Sequence, residues 1–394
     1  MAGPTTFFLL VVLLQADTFF LSSSAPAAMS TVGPDQPAPC PATSPVGGVR
    51  GGYYPSWLRR SLPPSAIELS YFTHVFYAFV QLDPASYELV ITSDDAQLLP
   101  DLAAALHRHC PPRKALLSIG GGNSGADTFA ELAGSPSSRS AFIASTIAVA
   151  RRYGLDGLDL DWEFPRDPEE MDHLGLLFRE WRSAVEAEAA RTGQPRLLLT
   201  SAVYFASSFF VYGKPRSYPV EALRGAADFV NLMCYDYRGD WDTSATGAHA
   251  ALYDPGSNVS TSYGVGSWVG AGMPAEKLVM GVPLYGKSWR LKDPAEHGVG
   301  APAVGTGPGR SGVLTYAEVV KLNARVGATE VYDEATVSEY SYSGTDWVGY
   351  DGVRSVTEKM AYARRRGLGG YFFWALGYDK DWEISSAASD AWGH

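Results

Sequence analysis

Cysteine is scarce, with 3 in 394 residues. That is too few for the disulfide framework that holds small secreted domains together. Basic residues are outnumbered, 31 Lys and Arg against 42 Asp and Glu, for a formal charge of −11. A chain of that sign has no field to gather phosphates, which argues against nucleic acid as a partner. Charged residues amount to 19% and apolar ones to 46%, so global disorder is excluded and a sizeable core is available. Beyond the amino-terminal segment no apolar run is long enough to span a bilayer. His107-Arg108-His109-Cys110 has no second cluster to complete a metal site, so neither metal nor cofactor is expected. Gly120–Gly125 lacks the lysine of a phosphate loop and reads as a turn after a strand. Aromatic residues, by contrast, are plentiful at 12%. Part of that excess is core, and part could serve as a stacking surface.

Residues 1–28 hold the run Phe7–Leu14 and close on Ala25-Pro26-Ala27-Ala28, the pattern of a secretory signal peptide. Gln15, Asp17 and Thr18 break the run short of the ~20 residues a membrane anchor needs. The expectation is secretion, to the extracellular space or the vacuole, without membrane attachment. Residues 29–48 form a tether with prolines at 34, 37, 39, 41 and 45, and folding should begin near Val49. Cys234 lies in an apolar run and reads as a buried thiol. A Cys40–Cys110 bridge and the use of the sequon Asn258-Val259-Ser260 stay open.

Short β-rich runs recur between helical stretches: 51–54, 74–80, 115–119, 157–161, 197–203, 229–233, 278–282 and 370–373. Several are apolar at consecutive positions, as strands buried on both faces must be. Amphipathic stretches at 140–152 and 171–191 lie between them. Eight alternations predict an α/β fold, a (β/α)8 TIM barrel, with a doubly wound sheet as the weaker alternative. The step from residue 280 to residue 371 is about three times the roughly 31 residues of one barrel unit. The excess predicts a small α+β insertion domain between strands 7 and 8. The barrel is then 49–285 with 346–394, and the insertion 286–345.

The most informative stretch is Asp156-Gly157-Leu158-Asp159-Leu160-Asp161-Trp162-Glu163. Strand side chains alternate, so Asp159, Asp161 and Glu163 share one face, inside the barrel and climbing toward its carboxyl end. Leu158, Leu160 and Trp162 make the other face apolar. Asp156 has the opposite parity and braces the preceding turn. Three close acids cannot all ionise, so protons are shared and at least one pKa rises. A glutamate held protonated near neutrality is what a general acid requires.

Asp156-x-x-Asp159-x-Asp161-x-Glu163 resembles the signature of glycoside hydrolase family 18, the chitinase family, with plant class V chitinases as the nearest pattern. Leu117–Gly121, Asn231–Asp236, Gly281–Gly286 and Gly369–Trp374 resemble, in order, its motifs on strands three, six, seven and eight. A monomer is expected. The resemblance implies binding of chitin or N-acetylglucosamine oligosaccharides. It implies cleavage in which the sugar's own acetamido oxygen attacks and configuration is retained. On that reading Glu163 is acid and then base, Asp161 orients the acetamide, Asp159 holds a proton and exchanges it with Asp161, and Tyr235 donates to the acetamide oxygen. Trp374 would floor the site, with Tyr53, Phe79, Met233, Asp236 and Arg290 as further substrate contacts. For Arg290 a surface salt bridge is the competing reading. Gly122 stands where many relatives carry an aromatic. The rival functions are a lectin or inhibitor on the same barrel, and an endo-N-acetylglucosaminidase acting on N-glycans.

Overall fold

The computed structural model describes residues 47–211 and 214–393. The expected signal peptide, nearly all of the tether and Cys40 lie outside the described residues. Parallel strands close a barrel: β1 (Val49–Pro55), β2 (His74–Leu82), β3 (Lys114–Gly120), β4 (Gly157–Asp161), β5 (Leu198–Tyr204), β6 (Phe229–Met233), β7 (Leu278–Pro283) and β8 (Gly370–Trp374). Each pairs with the next, and β8 returns to β1 with Val49 opposite Gly370. Alternation along the strands separates two cores. Outward residues such as Leu158, Leu160 and Trp162 join the large apolar layer beneath the helices. Inward residues Tyr53, Phe76, Leu116, Phe229, Val279 and Phe372 fill the lumen, where Tyr53 and Phe76 stack at 4.7 Å.

The helices begin earlier than the hydrophobic pattern indicates, at Pro136–Arg152 and Pro168–Thr192. Proline suits the first helical position because its missing N–H would be unpaired there anyway. Asp167 caps the second helix by accepting from the Glu170 N–H, and Gly193 ends it in the left-handed region at φ 71°. Trp181 of this helix is fully buried against Phe142, with ring centroids 5.0 Å apart. Its Nε1 donates to Thr146 Oγ1 at 3.0 Å. Removing a ring packed in this way costs about 3–5 kcal/mol.

Between β7 and β8 the chain builds an antiparallel sheet whose central strands are Tyr285–Leu291 and Asp346–Tyr350, paired with Lys287 opposite Gly349. Its own core contains Trp289, Leu291, Tyr340 and Trp347. One helix, Tyr316–Val326, opens with a Thr315–Glu318 capping box. The sheet runs past residue 345, the end expected for the insertion. Asp346–Tyr350 pairs antiparallel on both sides and so cannot belong to the parallel barrel. A short hairpin after β5, Ser208–Val211 with Lys214–Ser217, is not among the strand runs read from the sequence, although Phe209-Phe210-Val211 is β-prone.

Candidate active site

The acids of β4 stand as the alternation requires. Asp159 is fully buried in the lumen and accepts three hydrogen bonds. Tyr53 Oη donates at 2.9 Å, Ser118 Oγ at 2.7 Å and Thr200 Oγ1 at 2.6 Å. Asn231 Nδ2 in turn donates to Tyr53 Oη at 2.9 Å. Asp161, at the end of the strand, is also buried, but its Oδ1 has no hydrogen-bond partner among the described residues. Burial and then the charges of Glu163 and Asp159 push the Asp161 carboxyl well above its ordinary range. Burial raises Asp159 too, against the three donors that favour its anion. Glu163 sits two residues past Asp161, half-buried at the rim, and is raised to about 7 by burial and by the charge of Asp236. Asp156 lies away from this stack. Burial would raise its carboxyl, but His107, the Ala115 N–H and Lys114 bond to it and hold it low.

Above the ladder opens a cavity of about 600 Å³. Asp161, Glu163, Tyr235, Met233, Asp236, Phe79 and Trp374 line it. Trp374 stacks on Phe79 with centroids 5.5 Å apart and planes 23° from parallel, and meets Tyr53 edge-on at 5.7 Å. Tyr53 itself lies beneath the cavity, as the donor to Asp159. Burial and the charges of Asp161, Glu163 and Asp236 keep the Tyr235 phenol protonated far above its usual range. Met233 ends β6 and Tyr235 follows it, so both reach the carboxyl end of the barrel.

Backbone closeness explains the glycines after β3. Gly120 has φ 115°, and a Cβ there would come within 2.1 Å of the Asp161 carbonyl oxygen. Gly121 has φ 91°, and a Cβ would strike the Phe79 ring at 2.5 Å. Only glycine lets this turn pass beside the ladder. Gln81 Nε2 fixes it by donating to the Gly120 carbonyl at 3.0 Å.

Arg290 does not line the cavity. It lies on the insertion sheet opposite Asp346 and pairs with it at 2.7 Å. Strand parity is the reason: Tyr285 and Lys287 share the face that reaches Asp236, and Arg290 is on the other. The sequence reading missed Trp57, Gln81, Phe164 and Tyr204, which also line the cavity. Trp57 is 52% exposed and lies 6.4 Å from Trp374. An unburied tryptophan in the turn directly after a barrel strand was the available signal.

The profile of "Glycosyl hydrolases family 18" matches residues 49–379. The chain is 52% identical over 349 residues to the class V chitinase CHIT5 of Lotus japonicus, covering 88% of this chain and 87% of that protein. Among solved structures, the family 18 chitinase of Cycas revoluta in complex with (GlcNAc)3 superposes with a TM-score of 0.83. It is 44% identical and covers 88% of this chain and all of its own. A chitinase-like agglutinin from Robinia pseudoacacia superposes with a TM-score of 0.81 at 40% identity, covering 88% of this chain and all of its own. With the acid ladder, the barrel and the insertion in place, the chain belongs to family 18 of the glycosyl hydrolases.

Proposed function

We propose that this protein is a chitinase that hydrolyses β-1,4 linkages between N-acetylglucosamine units with retention of configuration. The observation that carries the reading is Glu163, a rim carboxyl held protonated to about pH 7, set over a buried acid pair and facing an aromatic-walled cavity. Phe79 and Trp374 offer an apolar wall for the sugar face, and Asp236 offers an acceptor for its hydroxyls. Related chitinases of the same fold have been solved with N-acetylglucosamine oligomers.

The chemistry follows the substrate-assisted course. Glu163 gives its proton to the glycosidic oxygen as the bond from that oxygen to the anomeric carbon breaks. The acetamido carbonyl oxygen attacks the anomeric carbon from the other face and closes an oxazolinium ring. Asp161 accepts a hydrogen bond from the ring N–H and balances its charge, while Tyr235 steadies the acetamide oxygen. Glu163, now an anion, takes a proton from water as that water opens the ring, and both enzyme and configuration are restored. Asp159 receives three donors and Asp161 Oδ1 none, so the proton of this pair rests on Asp161 and passes to Asp159 when Asp161 faces the substrate. The expected exchange of a proton between Asp159 and Asp161 thereby gains a direction.

The test is Glu163→Gln with chitohexaose. Loss of hydrolysis with binding intact is expected, and wild-type turnover by the variant would refute the acid assignment. The wild type on the same hexamer and on a high-mannose glycan distinguishes chitin cleavage from N-glycan release. Binding without products would instead favour the lectin reading, which the agglutinin's fold keeps relevant. Secretion as a monomer belongs to the same proposal, on the strength of the amino-terminal apolar run and the acidic, soluble composition.

A further inference from the structure

The Asp236 carboxylate sits at the rim between Glu163 and a polar cluster that the reaction scheme does not use. Its backbone is in the left-handed region at φ 58°, uncommon for a residue with a side chain. One oxygen, Oδ1, faces three neighbours from beyond β6. Tyr285 Oη donates to it at 2.8 Å, Lys287 Nζ lies at 3.2 Å, and His249 Nδ1 lies at 3.9 Å. His249 is fully buried, and its Nε2 lies 3.0 Å from the Tyr285 carbonyl. A carbonyl only accepts, so Nε2 carries the hydrogen and neutral Nδ1 has none to give Asp236. Burial holds the imidazole down at about 4, against the opposing pull of Asp236 and Asp351 and with the help of Lys287 and Lys359. Asp351 and Lys359 are themselves paired at 2.5 Å. Lys287 is therefore the only permanent cation paired with Asp236 among the described residues. It is 8% exposed, and its Nζ lies 5.1 Å from the Trp241 ring and 5.8 Å from the Tyr285 ring.

We propose that Lys287 is a positioning residue that sets how strongly the Asp236 charge acts on Glu163. The inference rests on the reading of Glu163 as the catalytic acid and adds to it the group that governs its working range. Lys287 neutralises part of Asp236 on the side facing the insertion, and Tyr285 fixes the same oxygen. The other oxygen stays free toward the cavity, where the side chain is 45% exposed. Asp236 is the charge that raises Glu163 after burial, and Asp161, Tyr235, Tyr285 and Tyr218 are further titratable groups that feel Glu163. Without Lys287 the full Asp236 charge would fall on Glu163. The glutamate would then keep its proton to higher pH.

The experiment is the pH profile of kcat/KM on chitohexaose, whose alkaline limb reports deprotonation of the acid. Lys287→Gln and Lys287→Met are expected to move that limb up by roughly 0.5–1 pH unit, the scale of one partly screened charge at close range. Lys287→Arg is expected to leave it in place, and Asp236→Asn to move it down. In the Asp236→Asn background, Lys287→Gln is expected to produce no further shift. A uniform loss of rate with the limb unmoved would reduce Lys287 to packing and overturn the inference. So would a shift that persists without Asp236. Should neither Lys287 variant accumulate as folded protein, an unmoved limb in Asp236→Asn alone overturns it equally. Glu163→Gln is assayed in parallel. If it keeps turnover, the parent reading falls and takes this one with it. If it is inactive while the Lys287 limb stays put, only the present inference is lost.

Discussion

The phenol of Tyr53 on β1 reaches across the lumen to the carboxylate of Asp159 on β4, at 2.9 Å. Staves three apart around the barrel are thus tied through the lowest acid of the ladder. Asn231 on β6 donates to the same phenol and extends the tie to a third strand. The lumen is sealed below by apolar rings and ordered above by this chain of donors. An acid stack can therefore be buried without collapsing onto water.

Replacing Tyr53 by Phe removes one of the three donors to Asp159 and leaves the Asn231 amide unpaired in a buried place. Stability should fall by about 1–3 kcal/mol, read as a lower urea midpoint.

Asp161→Ala should lower kcat by at least ~10²-fold, the scale of positioned acid–base and electrostatic assistance. A loss below about threefold in steady-state turnover of chitohexaose would remove Asp161 from the mechanism.

The raised acids make stability depend on pH in a stated direction. Glu163 binds its proton more tightly folded, at about 7, than unfolded, near the ordinary value of about 4.3. Its stabilising contribution is complete below the unfolded value and is lost as pH rises through about 7. Glu163→Gln carries no such penalty. It should unfold at higher temperature than the wild type at pH 8, by on the order of 2–3 kcal/mol of stability, and the difference should vanish near pH 4. Thermal melts at the two pH values measure this. The same group makes kcat/KM decline above about pH 7.

Trp57 is half exposed at the edge of the cavity beside Trp374, and on the proposed reading it would stack on a sugar unit away from the cleavage point. Trp57→Ala should raise KM for the hexamer by several-fold, corresponding to about 1 kcal/mol of aromatic contact, with kcat little changed. Arg290→Ala should leave both constants near wild type, since its partner is Asp346 on the insertion.

The barrel was legible because its strands are buried on both faces and its acids repeat with period two. Leu158 and Leu160 outside, with Asp159 and Asp161 inside, is a pattern that few other arrangements satisfy. What escaped was set by pairing at a distance. The strand Asp346–Tyr350 reads as readily for the barrel as for the insertion until its antiparallel partners are known. Arg290 and Lys287 lie three residues apart on one strand, and only the tertiary position of that strand decides which faces Asp236. Gln81 carries no local pattern, and Trp57 only its place in the turn directly after β1. Both serve the site through where β1 and β2 end.

The insertion enters along Tyr285–Leu291 and leaves along Asp346–Tyr350, two neighbours in one ladder, while β7 and β8 are themselves adjacent with Pro283 opposite Trp374. Its doorway is thus only one strand spacing wide. Loops at its far side, such as the turn at Gly344, can lengthen or shorten without prying the two staves apart. The lobe can be remodelled from outside while Tyr285 and Lys287, just inside the threshold, keep their grip on Asp236.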